Sequence, residues 1–266
     1  RHRVLWGASA RVSRDYLPET PFVSISDPRD TASLLSAFVQ DDYALRGDDL
    51  VLTAGMKLEY QDDSGSSWLP NLRLRWRIDE ASTAWAAVSR AVRQPGRGEM
   101  DWNLATPNPV GSFDLPFGGS LPVYTQLHGN EDMEAESVVT AELGWRRTWS
   151  EFSLDVATYY SRYRRLRELQ VLDLQCAPSG TSLFVDPSCL FFSQAVVSHA
   201  SFVSTGRANA RGGEIAASWQ VLRPWRVIAN YSFVDERSSS SPGLTGGAAI
   251  SKPAKHIAQL RSSLFI

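Results

Sequence analysis

Apolar and polar residues alternate with a period of two along much of this chain, the pattern of strands whose two faces meet different surroundings. Leu52, Ala54, Met56, Leu58 and Tyr60 fall on one face, and Thr53, Gly55, Lys57 and Glu59 on the other. Leu72, Leu74 and Trp76 alternate with Arg73, Arg75 and Arg77. Val139, Ala141, Leu143 and Trp145 alternate with Thr140, Glu142, Gly144 and Arg146. Phe152, Leu154, Val156, Thr158 and Tyr160 share a face, as do Trp225, Val227, Ala229, Tyr231 and Phe233. Further strands are expected near 3–13, 35–46, 83–93, 199–219 and 256–266, giving about ten antiparallel strands of the length that crosses a bilayer at a tilt.

The connections alternate in length. Four are tight: Arg46-Gly47-Asp48-Asp49, Asp79-Glu80-Ala81-Ser82, Thr148-Trp149-Ser150 and Leu222-Arg223-Pro224. Between them lie long polar segments at 14–34, 94–136, 164–197 and 238–254, with a shorter one at 62–68. All the short turns therefore lie at one end of the sheet and the long loops at the other. Outer-membrane β-barrels have this asymmetry, with short periplasmic turns and long extracellular loops. In a soluble sandwich the polar faces would be solvated outer surfaces. Loop asymmetry and strand length favour the barrel, in which Arg73, Arg75, Arg77, Arg146, Lys57, Glu59, Glu142 and Glu214 line an aqueous lumen. The segment 94–136, with Pro95, Pro107, Pro109, Pro116 and Pro122, is too long for an ordinary connector. The Ser238–Ser241 run followed by Pro242 and Gly243 reads as a mobile loop.

Composition adds limits. No run of about 18 apolar residues occurs, so no transmembrane helix is expected. Hydrophobic content is 43% and the net charge is −2, which excludes a polybasic nucleic-acid binder. Nine Trp, eight Tyr and eleven Phe suffice for aromatic girdles. Cys176 and Cys189 lie in one predicted loop; a disulfide there fits an oxidising compartment, and two unpaired thiols are the alternative. The chain begins Arg1-His2-Arg3 without Met and ends on an unfinished strand, which reads as an internal piece of a longer protein.

Catalytic chemistry is not visible. A phosphate-binding Gly-rich loop, a His-Glu-x-x-His motif and a nucleophile elbow are all missing. His199 and Ser204 are too generic to define a hydrolase. His128 and His256 lack a second ligand at metal spacing. No enzyme activity, metal or cofactor is expected. The Arg73–Arg75–Arg77 ladder either attracts an anionic substrate or forms a solvated wall. Trp102, Phe113, Phe117 and Tyr124 either stack on a ligand entering from outside or pack their loop onto itself.

Several stretches, in order, resemble the TonB-dependent outer-membrane receptors. They are Ser36-Ala37-Phe38-Val39-Gln40-Asp41-Asp42 with Leu52-Thr53-Ala54-Gly55-Met56-Lys57, then Ala87-Val88-Ser89-Arg90-Ala91-Val92-Arg93-Gln94-Pro95. Asn130-Glu131-Asp132 with Glu136 and Ala141-Glu142-Leu143-Gly144-Trp145-Arg146 follow, then Leu154-Asp155-Val156-Ala157-Thr158-Tyr159-Tyr160. Gly213-Glu214, Asn230-Tyr231-Ser232-Phe233, and Pro253 with His256 complete the series. The resemblance implies that residues 1–266 are a β-barrel domain, a central-to-late part of a barrel of about 22 strands with a plugged lumen. It implies an outer-membrane location, outer-membrane lipid and the TonB complex as partners, and uptake of a scarce nutrient, with a ferric siderophore as the leading substrate. It also implies that Glu142 and Glu214 contact arginines of the plug. A passive porin-type channel is the alternative reading.

Overall fold

The computed structural model describes residues 1–239 and 254–264. In chain order the strands are β1 (His2–Tyr16), β2 (Val23–Ile25), β3 (Arg29–Arg46), β4 (Leu50–Gln61), β5 (Gly65–Arg77) and β6 (Ser82–Arg93). A single helical turn, α1 (Arg97–Met100), precedes β7 (Trp102–Ala105), β8 (Gly111–Asp114) and β9 (Ser120–His128). Then come β10 (Glu136–Thr148), β11 (Phe152–Ala177), β12 (Thr181–Ser182), a 3-10 turn over Pro187–Phe192, β13 (Ala195–Leu222), β14 (Trp225–Ser239) and β15 (His256–Leu264).

Ten of these form the wall. β1, β3, β4, β5, β6, β10, β11, β13, β14 and β15 pair in that order, each antiparallel to the next. The ten expected strands are all present, and the four tight turns lie at one end. Among the described residues β1 pairs only with β3 and β15 only with β14, so the wall is an open sheet.

Cross-strand register assigns each face, because directly paired residues point the same way. One row runs Trp76, Ala84, Trp145, Val156, Ile215 and Tyr231. The opposite face carries the row Thr53, Arg73, Ala87, Glu142, Tyr159 and Gly212. The apolar face is uncovered: Leu58, Leu143 and Leu260 are 56%, 60% and 75% exposed. All strands belong to one sheet, so no second layer buries that face as a sandwich would. The cluster of buried apolar residues, Cys176, Leu183, Leu190 and Val196, lies above the wall at the long-loop end. A molecule whose core is in its loops and whose wall is apolar outside is built for lipid.

Three expectations need correction. The segment 164–197 is not a loop. β11 and β13, of 26 and 28 residues, continue through it, and only 178–194 connects them. Bulges between Arg164 and Leu166, Leu166 and Glu168, and Val171 and Asp173 break the period of two there. Both faces of this tall hairpin also stand clear of lipid, so no apolar stripe marks it. Likewise β5 reaches up to Gly65, reducing 62–68 to a turn at 62–64. Pro70 lies inside this strand; it has no N–H to donate, and the β5–β6 pairing ends at Asn71. Third, β1 and β3 each extend into 14–34, leaving 17–28 as the connection. The loop expected at 238–254 lies almost wholly outside the described residues.

The long segment after β6 is structured. Its strands β7, β8 and β9, joined by β2 from the connection between β1 and β3, form a small cap sheet, and β9 runs parallel to β13 from Val123–Val196 to His128–Ser201. Among the described residues β14 pairs with β13 from Arg207 downward, and β9 takes the edge of β13 above it.

Candidate functional site

The lumen face and the cap form one continuous surface on the long-loop side. In the lumen, Glu142 stands between Ala87 and Tyr159, and Glu214 between Ala157 and Ser232. Both carboxylates are exposed, and neither makes an ion pair or side-chain hydrogen bond among the described residues. Arg146, on the same face of β10 as Glu142, is paired with Asp155 instead. Flat aromatic rings stand beside both acids. Trp85 lies across Gly144, where a Cβ would come within 2.0 Å of the indole. The Tyr159 ring lies across Gly212, where a Cβ would come within 2.6 Å of the phenol oxygen. Glycine at these positions lets the rings lie flat on the wall, a close approach that any side chain would block.

Arg73, Arg75 and Arg77 share the lumen face, as the alternation predicts. Arg77 pairs with Asp49 at 2.7 Å and Arg75 donates to the Asp48 carbonyl at 3.2 Å, so these two are tied to the tight turn between β3 and β4. Arg73 makes no such contact among the described residues.

The cap is anchored by buried charge that the sequence does not reveal as such. The Glu99 side chain is 8% exposed and accepts from Arg93 at 2.7 Å, from Arg167 and from the Gly96 N–H at 2.8 Å. Arg93 belongs to β6 and Arg167 to the tall hairpin, so one carboxylate joins cap, rim and hairpin. Burial pushes the Glu99 carboxyl up, but the hydrogen bonds from Arg93 and Gly96 and the Arg93 and Arg167 charges outweigh it and hold the group below its ordinary value. A glutamate three residues after Gly96 at the start of a helical turn was the available signal. Arg97 makes a second tie, to Asp15, the Asp27 carbonyl and Asp101.

Cys176 and Cys189 are joined by a disulfide at the tip of the hairpin. Phe113 packs against this tip cluster with Leu115, Leu121 and Val123, so it serves the loop's own core. Phe117 is exposed and stacks on Phe191 with centroids 4.7 Å apart. Trp102 lies against Gly98, and Tyr124 sits half-buried in β9. The sequence reading missed Phe184, Phe191 and Phe192, which are 64%, 65% and 88% exposed in the same connection 178–194. His128 and His199 also meet, with Nε2 and Nδ1 2.9 Å apart, although 71 positions separate them. Burial foremost, then the neighbouring His128, lowers the His199 pKa, and Asp173 opposes them. No group of three metal-ligating side chains occurs among the described residues. An apolar concavity of about 800 Å³ lies elsewhere, lined by Ala8, Ala10, Leu35, Leu58, Tyr60 and Trp68 of the outward face.

A wall with an apolar exterior and a charged and aromatic interior, capped by a folded segment at its long-loop end, is a sector of a transmembrane β-barrel. The chain belongs to the TonB-dependent receptor family: residues 1–263 match the profile described as TonB dependent receptor-like, beta-barrel. This family places it in the outer membrane. A ferric enterobactin receptor, PirA, of Pseudomonas aeruginosa is 32% identical over 138 residues, 50% of this chain and 17% of that protein. The ferrienterobactin receptor of Escherichia coli is 23% identical over 164 residues, 61% of this chain and 21% of that protein. The crystal structure of the siderophore receptor PirA from Pseudomonas aeruginosa superposes with a TM-score of 0.66 at 19% identity, covering 88% of this chain and 39% of that one. The chain thus spans well under half the length of these relatives. None of these matches favours the passive channel.

Proposed function

We propose that these ten strands are one sector of a larger plugged barrel that takes up a ferric siderophore, energised through TonB. The observation that carries this reading is the family match together with two relatives that are both receptors for ferric enterobactin. The geometry is compatible with it. The exposed cap aromatics offer stacking surfaces for an aromatic chelate, and lumen arginines offer charge to an anionic one. No residue is assigned covalent chemistry. In this reading Glu142 and Glu214 receive guanidinium groups of a plug in bidentate, charge-assisted pairs, which their lack of wall partners leaves them free to make.

Iron uptake tests it. In the full-length receptor, Glu142→Gln with Glu214→Gln is expected to reduce transport of radiolabelled ferric enterobactin about tenfold, the loss of one to two charge-assisted hydrogen bonds. Binding of the chelate to cells at 0 °C should stay unchanged, since the cap is intact. Unchanged transport by the double variant would remove the plug role. Failure of the parent receptor to bind any ferric catecholate would remove the siderophore reading.

A further inference from the structure

We propose that the outward surface formed by Arg162, Arg164, Arg207, Arg211 and Arg237 binds the phosphate groups of an anionic glycolipid in the outer leaflet. This inference rests on the outer-membrane location and is independent of the transported substrate.

On three neighbouring strands the outward face changes character at one level. Up β11 it reads Phe152, Leu154, Val156, Thr158 and Tyr160, then Arg162 and Arg164. Up β13 it reads Trp219, Ala217, Ile215 and Gly213, then Arg211, Asn209 and Arg207. Up β14 it reads Trp225, Val227, Ala229, Tyr231 and Phe233, then Asp235 and Arg237. Register gathers the polar ends into one patch. Arg162, Asn209 and Arg237 form a row, Arg164 stands opposite Arg207, and Arg211 stands opposite both Tyr160 and Asp235.

The height of this patch is set by the strand. Phe152 to Arg162 is roughly 33 Å along β11, or about 25 Å along the membrane normal at a tilt of about 40°, the height of the apolar band of such barrels. The arginines therefore begin where hydrocarbon ends and headgroup phosphates lie. The Tyr160 hydroxyl donates to Asn209 Oδ1 at 3.1 Å, an aromatic with a polar tip at that same boundary.

Among the described residues the outward rows of this patch carry one acidic side chain. Asp235 pairs with Arg211 at 3.0 Å, Arg237 at 3.6 Å and Lys255 at 3.7 Å, one carboxylate among three cations. Arg162 and Arg164 make no ion pair among the described residues. Guanidinium forks match phosphate oxygens in bidentate geometry, and the side chains of Arg211 and Arg237 are 61% and 76% exposed. These groups face away from the lumen, so the transport path does not use them.

The test is lipid retention by the full-length receptor, reconstituted in phosphatidylethanolamine vesicles with bis-phosphorylated lipid A and re-extracted in mild detergent. Native mass spectrometry then counts bound lipid A. Wild type should retain it, and should not retain lipid A stripped of both phosphates. Arg162→Gln/Arg164→Gln/Arg237→Gln should retain about tenfold less, from the loss of charge-assisted contacts, with the heat-shifted gel mobility of a folded barrel preserved. Arg73→Gln/Arg75→Gln, on the lumen face, should retain as much as wild type. Asp235→Asn, which removes the one local counter-charge, should retain more. Equal retention by a folded triple variant, or retention of the dephosphorylated lipid, overturns the proposal. Should the triple variant not fold, Asp235→Asn decides, and retention at or below wild type overturns it.

Discussion

Replacing Glu99 by Ala is expected to release the cap from the barrel rim at a cost of about 3 kcal/mol, the lower end of what breaking a buried ion pair costs. The lower end applies because Arg93 and Arg167 are 49% and 42% exposed and regain some hydration once unpaired. Three donors on three separate elements lose their common acceptor in a single step. Glu99→Gln should behave almost as Ala does, because a neutral amide cannot compensate two guanidinium groups. Limited trypsin digestion of the folded receptor reads the effect: cleavage at Arg97 should become much faster while the wall strands stay intact. Acid should mimic the substitution. The folded state holds the Glu99 carboxyl below its ordinary value of 4.5, so its stabilisation is complete above that value and is lost as pH falls through the depressed one. Trypsin is inactive in that range, so hydrogen exchange over 94–135 is the measurement there. Wild type should lose protection on acidification below about 4.5, and Glu99→Gln should show no such change. Equal protection in both at every pH would contradict the anchoring role.

The second large effect is expected at the tip of the hairpin. Changing Cys176 and Cys189 together to Ala should destabilise the connection 178–194 by about 3 kcal/mol, the loop-closure contribution of a bridge of this span. The sulfurs also belong to the tip core with Leu183, Leu190 and Val196, and Cys176 is fully buried. Alanine keeps that core apolar but also removes two packed sulfurs, so most of the loss, not all of it, is that of the cross-link. Hydrogen exchange should rise over 174–198 and over β8, whose Phe113 packs on the same cluster. Exchange in the wall below Arg164 should not change. Wild-type protein under reducing conditions should match the variant. Unchanged protection at the tip in both samples would mean that packing alone holds it.

The sequence was informative where lipid imposes a rule. Each strand flanked by hydrocarbon on one side and water on the other must alternate, so Leu72-Arg73-Leu74-Arg75-Trp76-Arg77 states its two faces outright. The four tight turns at one end and the long connections at the other likewise indicate which end faces outward, although 62–64 at the long-loop end is itself a tight turn. Above the membrane that constraint lapses. Residues 165–177 and 195–206 have water or cap on both sides, their bulges shift the period, and they read as loop although they are paired strands. The cap was hidden for a different reason. Glu99 looks like any solvated loop acid until β6 and β11 deliver Arg93 and Arg167 to it. His128 meets His199 only because β9 runs parallel to β13, a pairing between distant segments that local pattern does not encode. Of the four loop aromatics, pattern could not tell Phe113, which packs inward, from Phe117, which is exposed. Phe113 lies in β8 and packs on the tip cluster, whereas Phe117 lies in the turn between β8 and β9.

The central claim is the assignment of one face of this wall to lipid and the other to a water-filled lumen. It is tested most directly by single-cysteine scanning of β11 from 153 to 160 in the full-length receptor, keeping the native disulfide. A fluorophore at each site is challenged with a lipid-borne nitroxide quencher and with a water-soluble one. The account predicts a period of two: labels at Leu154, Val156, Thr158 and Tyr160 quenched from lipid, and labels at Ser153, Asp155, Ala157 and Tyr159 quenched only from water. Uniform quenching from water along all eight positions would contradict it, and with it the membrane barrel.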